Sequence, residues 1–370
     1  MKGKGLMKKK KIISFVIVIL VISVLTVLLQ KLLMPKYMTQ IVEGALTKEY
    51  YYEKNKDHDV IFIGDCEVYE NFSPITLWEE YGITSYIRGG AQQLVWHSYY
   101  LLEDTLKYEK PDVVVFSVLA MMYNEPQREV YNRMNIDGMP LSLTKLNMAK
   151  ASMMPDEELI TYAFPLLRFH SRWKELSGED FRYWFKRDQI SHNGYLMRVD
   201  VKPVGRLPSP RLLDDYMFGD KAYEYLDKIT ELCKKNGIEL VLIKAPSLYP
   251  HWYEEWDQQM VDYAEKNGLL YINMLDDLDE IGLDFEKDTY DAGLHLNLSG
   301  AEKASKYFGR ILQSRFNIPD KRNDEKLKAI WQEKADYYYK MEQEQYEELE
   351  KYGYLLKFNM KRNEENNIKP

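Results

Sequence analysis

Residues 12–33 settle the first question about this chain. Six lysines lie within the first eleven residues. Behind them runs a stretch from Ile12 to Leu33 whose only polar members are Ser14, Ser23, Thr26, Gln30 and Lys31. A run of about 20 apolar residues matches the hydrocarbon core of a bilayer, and there a single segment can satisfy its own backbone only as a helix. The sequence continues LLMPKYMTQ, without the small-residue cut site of a cleaved leader, which predicts an uncleaved anchor. Lysines on the amino side predict an N-terminus in the cytoplasm and a body outside it. The expected organisation is a cell-membrane protein with one span: a basic segment over 1–11, a transmembrane helix over 12–33 and a polar, helical connector over 34–57.

From residue 58 short apolar runs alternate with amphipathic ones. VIFIG after residue 59, TSYIRGG after 83, Pro111–Leu119, Ile238–Lys244 and Leu269–Met274 read as strands. Ile75–Tyr81, Val95–Tyr108, Lys221–Asn236, Asp257–Asn267 and the stretch from Ser299 read as helices. This alternation predicts an α/β fold, a mostly parallel sheet with helices on both faces. It lapses over about 125–215, where aromatic and basic clusters (LLRFHSRW, FRYWFKR) and the stretch VKPVGRLPSP read as an insertion forming a lid or substrate wall. The body is expected to span 58–320. Residues 321–370 read as a charged helical tail, with Leu327, Ile330, Trp331, Tyr338, Met341 and Leu349 at helical spacing. Such a helix either packs on the body or offers itself to a partner.

A net charge of -8, with no basic patch after the first eleven residues, argues against nucleic acid as a partner. The 30 tyrosines and 7 tryptophans suit sugar surfaces and membrane interfaces, or simply an aromatic core. Cys66 and Cys233 do not make a disulfide framework. With no Cys-x-x-Cys pair or His-Glu-x-x-His helix, neither a metal nor another cofactor is expected.

In an open parallel sheet, ligands bind beyond the carboxyl ends of the strands. Cys66 stands there, just past Gly64-Asp65. A thiol nucleophile needs a base, the base needs an orienting group, and the developing negative charge needs donors. His295 and Asp291 fill the first two roles. The Cys66 amide, the amides of Gly89 or Gly90 and the Asn124 side chain are candidates for the third. Tyr249, Trp252 and Tyr253, after another strand, could form an aromatic platform for a sugar or an acyl group. His97 reads as a packed side chain, and His170 and His192 read as structural rather than catalytic.

These residues resemble the SGNH (GDSL-like) hydrolase superfamily. Its Gly-Asp-Ser block after the first strand corresponds to Gly64-Asp65-Cys66. Its glycine block corresponds loosely to Gly89-Gly90, its asparagine block to Asn124, and its Asp-x-x-His block to the stretch ending His295-Leu296-Asn297. Asp65 and Asn297 thereby become candidates for substrate binding. The resemblance covers roughly 58–125 and 220–312. It implies a flavodoxin-like three-layer α/β/α sandwich and acyl-ester chemistry without a metal. The anchored form is similar to cell-surface proteins that add or remove O-acyl groups on bacterial polysaccharides. Two departures stand out. Cysteine replaces serine, which makes acyl transfer through a thioester plausible beside ester hydrolysis. The spacing from Asp291 to His295 is four, which keeps Asp288 as an alternative triad acid.

The expected activity is thus an extracytoplasmic acyl esterase or O-acyltransferase on envelope glycans, with an acylated glycan or small ester as substrate. The alternative is an inactive scaffold of the same fold that holds polysaccharide or a membrane-bound acyltransferase partner.

Overall fold

The computed structural model describes residues 2–38 and 41–359; the end of the charged tail, 360–370, and the side chains of 1–8 in the basic segment lie outside what is described. Two compact units divide the chain: residues 1–36 with 157–189, and residues 37–156 with 190–370.

The first unit is built on the helix Lys2–Leu33. Its Lys9–Leu33 part is long and apolar enough to cross a membrane. Around it the unit holds only short helical turns, Ile160–Ala163, Leu166–Phe169, His170–Lys174 and Gly178–Arg182.

The second unit is the α/β body. Five parallel strands, β1 (Val60–Gly64), β2 (Ser85–Gly89), β3 (Val113–Ser117), β4 (Glu239–Lys244) and β5 (Leu270–Asn273), lie in the order β2-β1-β3-β4-β5. Their Val- and Ile-rich sequences suit a pleated surface buried on both sides. Successive side chains face opposite ways. Phe62, Val113, Val115, Val241 and Ile243 join a core with helices Pro74–Tyr81, Leu298–Phe316 and Glu325–Tyr352. Ile61, Ile63, Val114, Phe116, Leu240 and Leu242 join another with Val95–Thr105, Asp220–Asn236 and Glu254–Asn267. This is the parallel sheet with helices on both faces expected from the alternation, and so the three-layer sandwich that the resemblance implies. The strand order reverses between β1 and β3, the place where such sheets open a ligand crevice.

Two segments are more deeply built in than their polarity suggests. Along Glu325–Tyr352, Trp331 and Tyr338 are buried, and the Trp331 ring stacks on Trp78 at 5.2 Å, so the inner face of the charged helix is core. In the connector, Val42 and Leu46 enter one core cluster and Tyr50 the other.

Candidate functional site

The loop after β1 is held by its own side chains. Gly64 has φ 151°, and a β-carbon there would come within 2.8 Å of Ser117 Cβ, so only glycine fits between β1 and β3. Asp65 then caps the short helix Cys66–Tyr69 by accepting from the Glu67 amide at 3.1 Å. Beneath Cys66, the carboxylate of Glu67 is buried and receives Lys244 Nζ at 2.5 Å and Ser117 Oγ at 3.0 Å. The side chain of Lys244, the last residue of β4, is fully buried and also donates to the carbonyl oxygens of Ala245 and Ser247. This ion pair ties the Cys66 loop to the ends of β3 and β4. Cys66 itself keeps part of its surface accessible and is a free thiol, as is the buried Cys233.

The opposite wall is the loop Thr289–Asn297. Ala292 and Gly293 have φ of 68° and 95°, a tight reversal that folds Asp291 back onto its own loop. Asp291 Oδ2 lies 2.6 Å from His295 Nδ1, and Oδ1 accepts from the His295 amide at 2.8 Å. The reversal accommodates the four-residue spacing. Asp288 points elsewhere: it accepts from Ser299 Oγ at 2.8 Å and pairs with Lys303 Nζ at 2.6 Å. The loop is fastened by Asn71, whose Oδ1 accepts from the Leu296 amide at 2.9 Å, and by Thr289 Oγ1, which donates to the His295 carbonyl at 2.8 Å.

The remaining ring nitrogen, His295 Nε2, is buried and has no partner at full hydrogen-bond geometry among the described residues. The Cys66 thiol lies near enough to the imidazole for the two groups to influence each other electrostatically. Burial pushes the thiol up to about 11, and the ring works against that by stabilising a thiolate. Burial also disfavours a charged ring. Even so, the Glu70 carboxylate, the thiol and the Asp291 hydrogen bond outweigh it and hold His295 well above its ordinary value. Glu70 is a second, buried carboxylate on the base, 3.4 Å from Nδ1. It accepts from the Tyr290 hydroxyl, whose ring lies under the Arg198 guanidinium at 4.1 Å. Burial and the neighbouring Glu67 raise Asp65 to about 7.

The structure brings Cys66, His295 and Asp291 together and sends several other sequence candidates elsewhere. Asn124 Oδ1 accepts from the Lys221 amide at 2.9 Å, at the start of helix Asp220–Asn236. The Gly90 amide donates to the Gly64 carbonyl at 3.2 Å, and Gly89 is the last residue of β2, in register with Gly64. Asn297 caps helix Leu298–Phe316 and donates to the carbonyls of Asp200 and Lys287. Trp252 is buried, donating to Asp257 Oδ1 at 3.0 Å, and Tyr253 donates to the Arg211 carbonyl at 2.6 Å. Tyr249 is exposed. The Cys66 amide is at a first helical position, where no acceptor lies within the helix.

Sequence reading missed Glu67, Lys244, Glu70 and Asn71. Tyr123, which the sequence places near the same sheet edge as Cys66, is partly buried; burial first, then Asp65 and Cys66, push its phenol up to about 12. Only Glu70 had a readable signal: four residues after Cys66 in helical sequence, it falls on the same side of the turn.

No family model matches the sequence, and no curated protein does. Several solved structures are similar to the chain, among them two of bacterial proteins. One, from Desulfitobacterium hafniense, is assigned as a lipolytic protein of the G-D-S-L family; it has a TM-score of 0.34 and 14% identity over 70% of this chain and 100% of its own. The other, from Bacteroides fragilis, is assigned as an acylhydrolase; it has a TM-score of 0.33 and 12% identity over 72% of this chain and 88% of its own. The reading of the site rests on this chain's own geometry.

Proposed function

We propose that this protein is a membrane-anchored, thiol-based acyl-transfer enzyme, an esterase or O-acyltransferase acting on acylated glycans of the cell envelope. The observation that supports the reading is the Asp291 carboxylate on His295 Nδ1 at 2.6 Å, which leaves Nε2 unbonded among the described residues, with Cys66 as an electrostatic neighbour of the ring. Asp291 fixes the tautomer and the tilt of the imidazole, and Glu70 adds a second negative charge that favours its protonated form. A base strengthened in this way offsets the reluctance of a buried thiol to ionise.

In the first half-reaction the Cys66 proton passes to His295 and the thiolate attacks the acyl carbonyl. The C–S bond forms, the ester C–O bond breaks, and the imidazolium protonates the departing alkoxide. In the second, His295 takes a proton from water or a sugar hydroxyl. That oxygen attacks the thioester, the C–S bond breaks, and the thiol is restored. The Cys66 amide and the Tyr123 hydroxyl are the donors proposed for the oxyanion. The lysines before the span favour the non-cytoplasmic side of the membrane for this chemistry.

The test is the reaction of the full-length protein in detergent with an activated acetyl ester, with adducts located by mass spectrometry. An acetyl group on Cys66 that forms far more slowly in His295→Ala is expected. Rapid loss of the adduct to water marks an esterase, and persistence until a glycan is added marks a transferase. A second reading, a catalytically inactive scaffold for polysaccharide or a membrane acyltransferase, is favoured by one observation: burial pushes the Cys66 thiol up to about 11. Equal labelling of Cys66 with and without His295 would decide for the scaffold.

A further inference from the structure

The unit built on the membrane-crossing helix contains a segment, residues 157–189, that the catalytic reading leaves without a role. It is attached to the carboxyl end of that helix. Arg172 Nη1 donates to the Leu33 carbonyl at 2.8 Å, and Lys31 Nζ donates to the Trp184 carbonyl at 3.3 Å. Asp180 pairs with both Arg172 at 3.2 Å and Lys36 at 3.5 Å. Lys36 in turn donates to the carbonyls of Leu32 and Met34. The last carbonyls of a helix have no partner within it, and cations at that end also meet the negative pole of its dipole. These contacts fix the height of the segment: it lies at Leu33, where the apolar run stops.

Its composition is that of a membrane boundary. Eight of its 33 residues are aromatic: Tyr162, Phe164, Phe169, Trp173, Phe181, Tyr183, Trp184 and Phe185. Trp173 is 64% and Phe185 90% exposed, and Phe164, Leu167 and Phe181 are exposed as well. Six basic residues are interspersed with six acidic ones, so the segment carries no net charge at neutral pH. In water such a set of apolar side chains is an exposed patch without a partner. At the headgroup level of a bilayer, amphipathic rings are favoured.

We propose that residues 157–189 form an interfacial foot, seated in the lipid headgroup layer around the exit of the membrane helix, with Trp173, Phe181 and Phe185 in the acyl boundary. The occupant of the apolar patch is the bilayer itself. With no net charge, the foot binds through its aromatic rings and not through attraction to anionic lipid. This rests on the reading that the Lys9–Leu33 helix spans a membrane.

The test uses the full chain in vesicles of phosphatidylcholine brominated near the top of the acyl chains, with tryptophan fluorescence as the readout. The membrane helix contains no tryptophan. Trp78, Trp96, Trp252, Trp256 and Trp331 are buried in the α/β body, which leaves Trp173 and Trp184 to report. Bromolipid is expected to quench part of the emission. Trp173→Phe should remove the larger share of that quenching, and added phosphatidylglycerol should leave it unchanged. Phe185→Ser should weaken it while Cys66 labelling stays at the wild-type rate. Carbonate extraction separates the two ways of failing. Release of the protein by carbonate would overturn the anchor and the foot together. Retention in the membrane without quenching, or quenching unaltered in Trp173→Phe, would overturn the foot alone.

Discussion

The two walls of the candidate site are made differently. Cys66 stands on the end of a central strand. Its loop is locked by glycine geometry below and by a buried ion pair, Glu67–Lys244, whose members are 177 residues apart in sequence. His295 stands on an irregular loop, held by local bonds from Asp291 and Thr289 and one distant fastening, Asn71. The sheet therefore positions the proposed nucleophile and a stapled loop positions the proposed base. Damage to the first wall should act through folding, and damage to the second through catalysis.

Asp291→Asn is the sharpest test of the catalytic wall. Asparagine can still accept the His295 amide, so the loop stays folded, but it no longer favours a protonated ring. Acylation of Cys66 should slow by about 10²–10⁴-fold at unchanged melting temperature. A loss of stability in place of rate would break the contrast between the walls.

The structural wall is tested by Lys244→Met. It leaves Glu67 buried and unpaired, at a cost of about 3–5 kcal/mol, read by thermal or denaturant unfolding. Glu67→Gln combined with Lys244→Met should recover most of that loss. If the double variant were as unstable as Lys244→Met alone, the ion pair would not be the fastening described here.

Glu70 acts on the boundary between the two walls. Its carboxylate helps to hold His295 above its ordinary value. The protonated ring therefore adds stability that is fully present below the unfolded value of about 6.5 and is lost as pH rises through the folded one. Glu70→Gln should move the His295 midpoint downward in nitrogen NMR titration, and the His295→Ala spectrum identifies the signal. An unchanged midpoint would leave Asp291 as the sole carboxylate that matters.

The smallest effect is expected from Asn124→Ala. Its bond to the Lys221 amide is a helix-end contact, so the loss should be about 1 kcal/mol of stability with no change in acylation rate. Slower acylation would return Asn124 to the oxyanion donors.

What could be read in advance follows the same division. The strands and helices of the body were legible because continuous Val- and Ile-rich runs and helical periodicities are local signals. Cys66 followed from standing at a strand end, and His295 from the block it shares with the resembled superfamily. Lys244 was legible only as the end of a strand, since a charged residue gives no local sign of burial and its partner is distant in the chain. Asn124 was misleading for the converse reason: it lies after the right strand, but its side chain has a nearer backbone donor to satisfy. The clusters LLRFHSRW and FRYWFKR were visible as aromatic and basic. Their attachment to the N-terminal helix depends on pairings such as Arg172 with the Leu33 carbonyl, which no periodicity reveals.

That attachment bears on how the protein could be shed. The chain passes between its two units near residues 36, 156 and 189, and the segment 157–189 is continuous with the body while hydrogen-bonded to the end of the anchor. With the helix anchored as proposed, a protease that cuts only after residue 36 therefore does not by itself free the α/β body. The severed helix stays clasped by Arg172 and Asp180, and release needs a second event that loosens the clasp.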